Sequence, residues 1–190
     1  MITDHDRSGY IGASDTAFVV GNWKTKTWEK WWMQKLGMNQ DHFDNKYTKA
    51  GTNWEHRILD SLNLPNLEKD RQFIIEDLRL RVNLDGNTGD RIFEVKTYRL
   101  KNGYCPQKWH LWQVQVQMYA SGIRRGELVV YGLREGDYSV PGPVDMARLR
   151  RIPVAYDPAW VEGVYLPRQR VLADCLKRGE FPPETVVSNK

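Results

Sequence analysis

Residues 83–98 read Asn83-Leu84-Asp85-Gly86-Asn87-Thr88-Gly89-Asp90-Arg91-Ile92-Phe93-Glu94-Val95-Lys96-Thr97-Tyr98. Two alternating runs flank a turn at Gly86-Asn87-Thr88-Gly89, which predicts a β-hairpin. Side chains alternate faces along a strand, so Glu94 and Lys96 share one face while Val95 points into the core. Asp85, near the end of the first strand, comes up beside them across the turn. Two carboxylates held close are hard to keep ionised unless a hard divalent cation sits between them. A lysine beside that cation can hold the water it activates, the arrangement that metal-assisted phosphodiester hydrolysis needs. An exposed face with ordinary Glu/Lys alternation fits the same spacing, so the flanking sequence has to decide.

The chain has 190 residues, 41% hydrophobic and 27% charged, which predicts one soluble globular domain over 1–190 with a flexible tail at 181–190. No apolar run is long enough for a membrane span, and residues 1–6 lack signal-peptide character. Cys105 and Cys175 stand far apart and the histidines show no ligand spacing, which argues against a disulfide framework or a zinc or Fe–S cluster. The expected location is a reducing cytoplasm. A net charge of +4 suits a polyanionic partner without establishing one. Of eight tryptophans, Trp23, Trp28, Trp31, Trp32 and Trp54 cluster among lysines. Helical spacing makes Trp28, Trp31 and Trp32 a core face first and a base-stacking surface second.

Along the chain, Ser14-Asp15 look like a helix start, with a short apolar turn at 17–20. Helices are expected over 25–36 and from about residue 50 to 62, after a polar connection at 41–47. Strands are expected at 73–75, 78–84 and 91–98, then a helix over 107–121 closed by Gly122. A buried strand at 128–133, a loop at 136–143 and a strand at 151–156 lead to a final helix over 157–177. This order describes one α/β domain with a mixed sheet.

Two helices bring further chemistry to the hairpin. Glu55, in Gly51-Thr52-Asn53-Trp54-Glu55, sits at the edge of the stripe formed by Trp54, Ile58 and Leu62, where it is either an exposed acid or a third carboxylate. In Trp112-Gln113-Val114-Gln115-Val116-Gln117-Met118, the helical period puts Gln113 and Gln117 on one face and Gln115 on another. A glutamine in so apolar a helix needs partners. Beside a metal it could orient water or contact a phosphate.

These elements in this order, with an acid on the entry helix, Asp85-Gly86, Glu94-Val95-Lys96, the glutamine helix and Met118-Tyr119, resemble the YqaJ-like recombination exonucleases of phages. These belong to the PD-(D/E)XK superfamily and include the lambda exonuclease. The resemblance implies a restriction-endonuclease-like mixed β-sheet flanked by helices. It implies Asp85 and Glu94 as metal-binding acids, with Glu55 a further carboxylate, Lys96 as the catalytic lysine and Gln113 as the active-site glutamine. Arg7 and Ile11-Gly12-Ala13-Ser14-Asp15 resemble the family's opening segment, in which an arginine and the serine hold a 5′-terminal phosphate. A serine at a helix N-terminus with free amides is an anion site, or simply a cap. The chain departs from the pattern at Leu84, where the superfamily has proline, and at Thr97-Tyr98 after the lysine.

The expectation is therefore a Mg²⁺-dependent DNA exonuclease in which Mn²⁺ substitutes, with the Val95 carbonyl as an added ligand. Arg99, Lys101, Lys108 and Gln117 are candidate DNA contacts. The resemblance further implies 5′-to-3′ resection of double-stranded ends, a single-strand annealing protein as partner, ring-shaped homo-oligomers, and the cytoplasm of a phage-infected host with no membrane contact. The residues alone equally allow a structure- or site-specific endonuclease on the same fold. A nucleic-acid-binding or inhibitory relative that has lost the reaction is also open, although a complete polar set argues against a decayed site.

Overall fold

The architecture follows from strands that bury one face each. In β3 (Leu80–Asn87) the side chains of Leu80, Val82 and Leu84 are fully buried, while Arg81, Asn83 and Asp85 point the other way into a cleft. The structure, a computed structural model, describes residues 8–38 and 46–183, with side chains from 46–49 excepted. Arg7, most of the connection expected at 41–47, and the tail from residue 184 onward lie outside the described residues.

One mixed sheet of six strands organises the chain. β1 (Ile11–Gly12) runs parallel to β3, and β2 (Glu68–Ile75) pairs antiparallel with β3 along its length. β4 (Ile92–Arg99) pairs with β3 at Gly86↔Phe93 and Asn87↔Ile92, beside the turn. β5 (Arg125–Leu133) is parallel to β4, and β6 (Leu149–Ala155) closes the edge antiparallel to β5. The parallel β4–β5 pair requires a crossover, and the apolar helix α4 (Lys108–Ser121) supplies it. Gly122, at φ 77°, ends that helix in the left-handed conformation that glycine adopts without strain.

Helices cover both faces. On one side α3 (Lys46–Ser61) packs Trp54, Ile58 and Leu59 against Phe93, Val95, Val129 and Tyr131. On the other, α4 lies with α1 (Thr16–Val20), α2 (Lys26–Lys35) and the C-terminal helix α6 (Leu166–Arg178). Trp23, Trp28, Trp31 and Trp32 stack inside this second core at 6% exposure or less. Each indole N–H has an acceptor: Val19 O, Phe18 O, Asp15 Oδ1 and Glu180 O respectively. The core reading of Trp28, Trp31 and Trp32 holds, Trp23 joins them, and none of the four is open to a base.

α4 lies close over β5. A Cβ at Gly126 would stand 2.6 Å from Val114 Cγ1 and 3.3 Å from Met118 Sδ. Valine is stiff in a helix and cannot swing away. Gly126→Ala should therefore cost about 1–3 kcal/mol, seen as a midpoint several degrees lower in thermal unfolding.

Several expected boundaries shift. The helix expected from residue 50 starts earlier, at Lys46. The loop expected at 136–143 contains a 3-10 turn, Glu135–Tyr138. The final helix is α5 (Pro158–Trp160), a π turn (Val161–Tyr165) and then α6. Trp160 stacks between Trp112 and Tyr165 at centroid distances of 5.9 and 6.0 Å, a tertiary packing that accompanies the extra residue in that turn. Among the described residues, no helix is long and apolar enough to cross a membrane.

A candidate active-site cleft

The cleft forms where β3 and β4 part company. Beyond Gly86↔Phe93 the two strands no longer pair, and the Val95 amide donates instead to Asp85 Oδ2 at 2.7 Å. That bond fixes one carboxylate at the fork. Glu94, 1% exposed, is gripped from three directions. Lys96 Nζ lies 2.6 Å from its Oε1, Gln113 Nε2 donates to the same oxygen at 2.7 Å, and Gln117 Nε2 donates to Oε2. Glu55 comes from α3 on the opposite wall. The resulting cavity has a volume of about 420 Å³ and is lined by Asp85, Glu94, Val95, Lys96, Glu55 and Gln113 together with Ser14. The sequence-predicted acids, lysine and first glutamine thus meet in one place.

Charge crowding sets the electrostatics. Burial, then the charges of Glu94 and Glu55, push the Asp85 carboxyl well above its usual range. Burial and the Glu94 charge likewise push Glu55 up to about 6. Burial opposes the charged form of Lys96, but Glu94 and Asp85 outweigh it and hold the ammonium above its usual value. An all-oxygen site in which Asp85 and Glu55 resist ionisation fits a hard divalent cation, which would relieve that repulsion. Asp85, Glu94, Glu55 and the Val95 carbonyl are the groups that would hold it.

Glu55 also adjoins His56 and Asp70, and one ligand atom from each of the three lies within 4.8 Å of the others. His56 Nε2 is 3.0 Å from Asp70 Oδ2, and Asp70 adopts φ 60° within β2. Neither residue carries a sequence signal, because their meeting depends on how α3 crosses β2.

Not every expected residue arrives as predicted. Ser14 does not begin an α-helix; it lies inside a 3-10 turn, Ala13–Asp15, and α1 follows. The Asp15 carboxylate accepts the Gly12 amide at 2.8 Å and Trp31 Nε1 at 3.0 Å, and pairs with Lys35 at 2.7 Å. The Gly12 amide is consumed in this way, taken by the Asp15 carboxylate at the start of the turn. The turn presents the exposed Ser14 into the cleft, close to the acids despite the sequence separation. Gln117 is 1% exposed behind Glu94 and also bonds Asn83 O, so its expected DNA contact gives way to support of the acid. Gln115, facing away, donates to Ala155 O and accepts the Asp157 amide, tying α4 to the end of β6. Lys101, on the connection between β4 and α4, and Lys108, at the start of α4, are exposed outside the residues lining the cleft, and Lys101 with Arg99 borders a separate groove.

Tyr10, Lys35, Arg81 and Asn83 also line the cleft and were not singled out by their sequence context. Strand alternation could have found two of them, since Arg81 and Asn83 share a face with Asp85.

A family model for the YqaJ-like viral recombinase domain matches residues 4–124. No curated protein matches the chain. Among solved structures, the chain is similar to an alkaline exonuclease, LHK-Exo, from Laribacter hongkongensis, at 19% identity and TM-score 0.63 over 90% of this chain and 93% of that one. The complex of LHK-Exo with dAMP gives 19% identity and TM-score 0.67, over 90% of each chain. A phage-related exonuclease from Haemophilus somnus 129PT gives 12% identity and TM-score 0.61, covering 88% of this chain and 92% of the other. These likenesses establish the mixed sheet flanked by helices as a shared fold.

Proposed function

The chain belongs to the YqaJ-like viral recombinase family, and from that premise we propose that it is a divalent-metal-dependent DNA exonuclease. The observation that carries this reading is the meeting of Asp85, Glu94, Glu55 and Lys96 in one cleft, where Asp85 and Glu55 resist ionisation. Two relatives of the same fold are named exonucleases, and LHK-Exo was solved with dAMP, a mononucleotide of the kind an exonuclease releases.

A bound divalent cation, Mg²⁺ with Mn²⁺ as a substitute, supplies polarisation of the scissile phosphate and stabilisation of the leaving oxygen. The chain does the rest. Asp85 and Glu94 fix the position of charge, with Asp85 oriented by the Val95 amide and Glu94 by Gln113 and Gln117. Lys96, protonated between the acids, orients the attacking oxygen and balances the charge that builds on the phosphoryl group. Gln113 reaches the cleft from α4 and steadies the same water or a phosphate oxygen.

Ser14, together with Arg7, is assigned to a 5′-terminal phosphate, which gives 5′-to-3′ resection of double-stranded ends. The cytoplasm of the phage's host, a single-strand annealing partner, ring-shaped homo-oligomers and one nuclease domain over 1–190 complete the proposal. Linear duplexes with 5′-phosphate or 5′-hydroxyl ends test it. The expected outcome is faster digestion of phosphorylated ends by about tenfold or more, as charge-assisted hydrogen bonds would give. Ser14→Ala should shrink the preference while leaving digestion of hydroxyl ends unchanged. Equal rates on both ends would remove the phosphate assignment.

A further inference from the structure

Helix α4 carries one more residue on the face that serves Glu94. Trp109, Gln113 and Gln117 follow one another at intervals of four, and the two glutamines both bond that acid. Trp109 therefore sits one turn, about 5–6 Å, beyond Gln113 toward the helix N-terminus, and side chains on a helix lean that way. Although the apolar run of α4 suggests a ring packed inside, Trp109 is 50% exposed, whereas Trp23, Trp28, Trp31, Trp32 and Trp54 are all at 6% or less. Its ring is nevertheless mounted on a fixed support. It meets His110 edge-on at 6.0 Å, His110 Nδ1 lies 3.2 Å from the Tyr104 hydroxyl, and Tyr104 packs on Tyr98 of β4 at 5.2 Å. Burial and the nearby Lys96 charge push His110 down to about 4, so the support is uncharged at neutral pH.

We propose that Trp109 is a stacking platform for the base of the nucleotide at the end of the strand held in the cleft. This rests on the nuclease reading for its substrate. Charged groups recognise phosphate, whereas Trp109, one turn from the cleft-lining Gln113, offers a flat apolar face; the ring of Tyr10 in the cleft already carries the guanidiniums of Arg79 and Arg81. The exposed Lys108 beside Trp109 and Lys101 on the preceding turn provide the positive charge that keeps a backbone close. Stacking is indifferent to base identity, as an enzyme that digests any sequence requires.

The test uses duplexes whose 5′-terminal base is 2-aminopurine, or is absent, bound in EDTA so that nothing is cut. The full chain should quench 2-aminopurine emission. Trp109→Ala should lose the quenching and bind ends about tenfold more weakly, with Trp109→Phe retaining most of both. An abasic terminus should weaken the unaltered chain to the same degree and Trp109→Ala no further. Unchanged binding by Trp109→Ala, or an equal loss on intact and abasic ends, would overturn the proposal. So would a change in sedimentation mass in Trp109→Ala, because the ring would then cover a contact between copies. Stacking at ends without hydrolysis in Mg²⁺ would reject the nuclease reading alone, while hydrolysis unaffected by Trp109→Ala would reject the platform alone.

Discussion

Replacing Lys96 with methionine, or Asp85 with asparagine, should slow Mg²⁺-dependent digestion of linear duplex by about a thousandfold or more. That is the range in which positioned acid–base groups and preorganised charges act. The two losses should not add. Lys96 is held protonated by Glu94 and Asp85, so removing Asp85 also removes part of the field that keeps Lys96 in its working state. Groups that act as a unit lose nearly everything at the first removal. Single-turnover rates of both single variants and the double variant, measured on one end-labelled duplex, check this. A double variant far slower than either single one would mean that the residues work independently.

The second large effect concerns stability. Without metal, Asp85→Asn should be the more stable protein at pH 8. The variant keeps an oxygen to accept the Val95 amide, so the bond at the fork survives while the charge disappears. The sign follows from the direction of the shift. A carboxyl whose folded pKa is raised binds its proton more tightly in the folded chain, so its contribution is intact below the unfolded value near 4 and is lost as pH rises through the folded one. Glu55, at about 6, behaves in the same sense. In EDTA the midpoint gap between Asp85→Asn and the unaltered chain should open with rising pH and nearly vanish at pH 4. At pH 8 a gap on the order of 1–2 kcal/mol, or about 3–8 °C, is expected. Mg²⁺ or Mn²⁺ should reverse the order, because a cation that binds the folded chain stabilises it by mass action. At pH 6 that binding should release protons, measurable in buffers of different ionisation enthalpy. An Asp85→Asn variant less stable than the unaltered chain in EDTA at pH 8 would contradict the crowding.

The heart of the cleft is legible in the sequence because its geometry is local. Asp85, Glu94 and Lys96 sit on two strands joined by a short turn, and the alternation of faces places them without any knowledge of the rest. Gln113 and Gln117 are legible for the same reason, since a helical period puts them together and separates Gln115. The cluster of Trp28, Trp31 and Trp32 reads as core from its spacing alone. What escapes is what distant segments create. β1 is two residues long and has no periodicity, yet its pairing with Leu80 and Arg81 carries Ser14 to the acids. The Asp15–Lys35 pair that shapes the Ser14 turn joins two helices and leaves no local pattern. Glu55, His56 and Asp70 meet across α3 and β2, and the π turn before α6 coincides with a stack between Trp112, Trp160 and Tyr165. Gln117 shows the limit of the helical argument: periodicity gives its face, but only the packing of α4 on β4 shows that Gln117 itself is buried behind Glu94.

The most direct test of the account compares one duplex in two forms, covalently closed and linearised, with Mg²⁺ and with EDTA. The account predicts that the linear form is resected from its ends in Mg²⁺ with release of mononucleotides, that the closed circle survives intact, and that EDTA protects both. Cutting of the closed circle would make the cleft that of an endonuclease, and survival of the linear form in Mg²⁺ would mean that these acids and Lys96 do not carry hydrolysis at all.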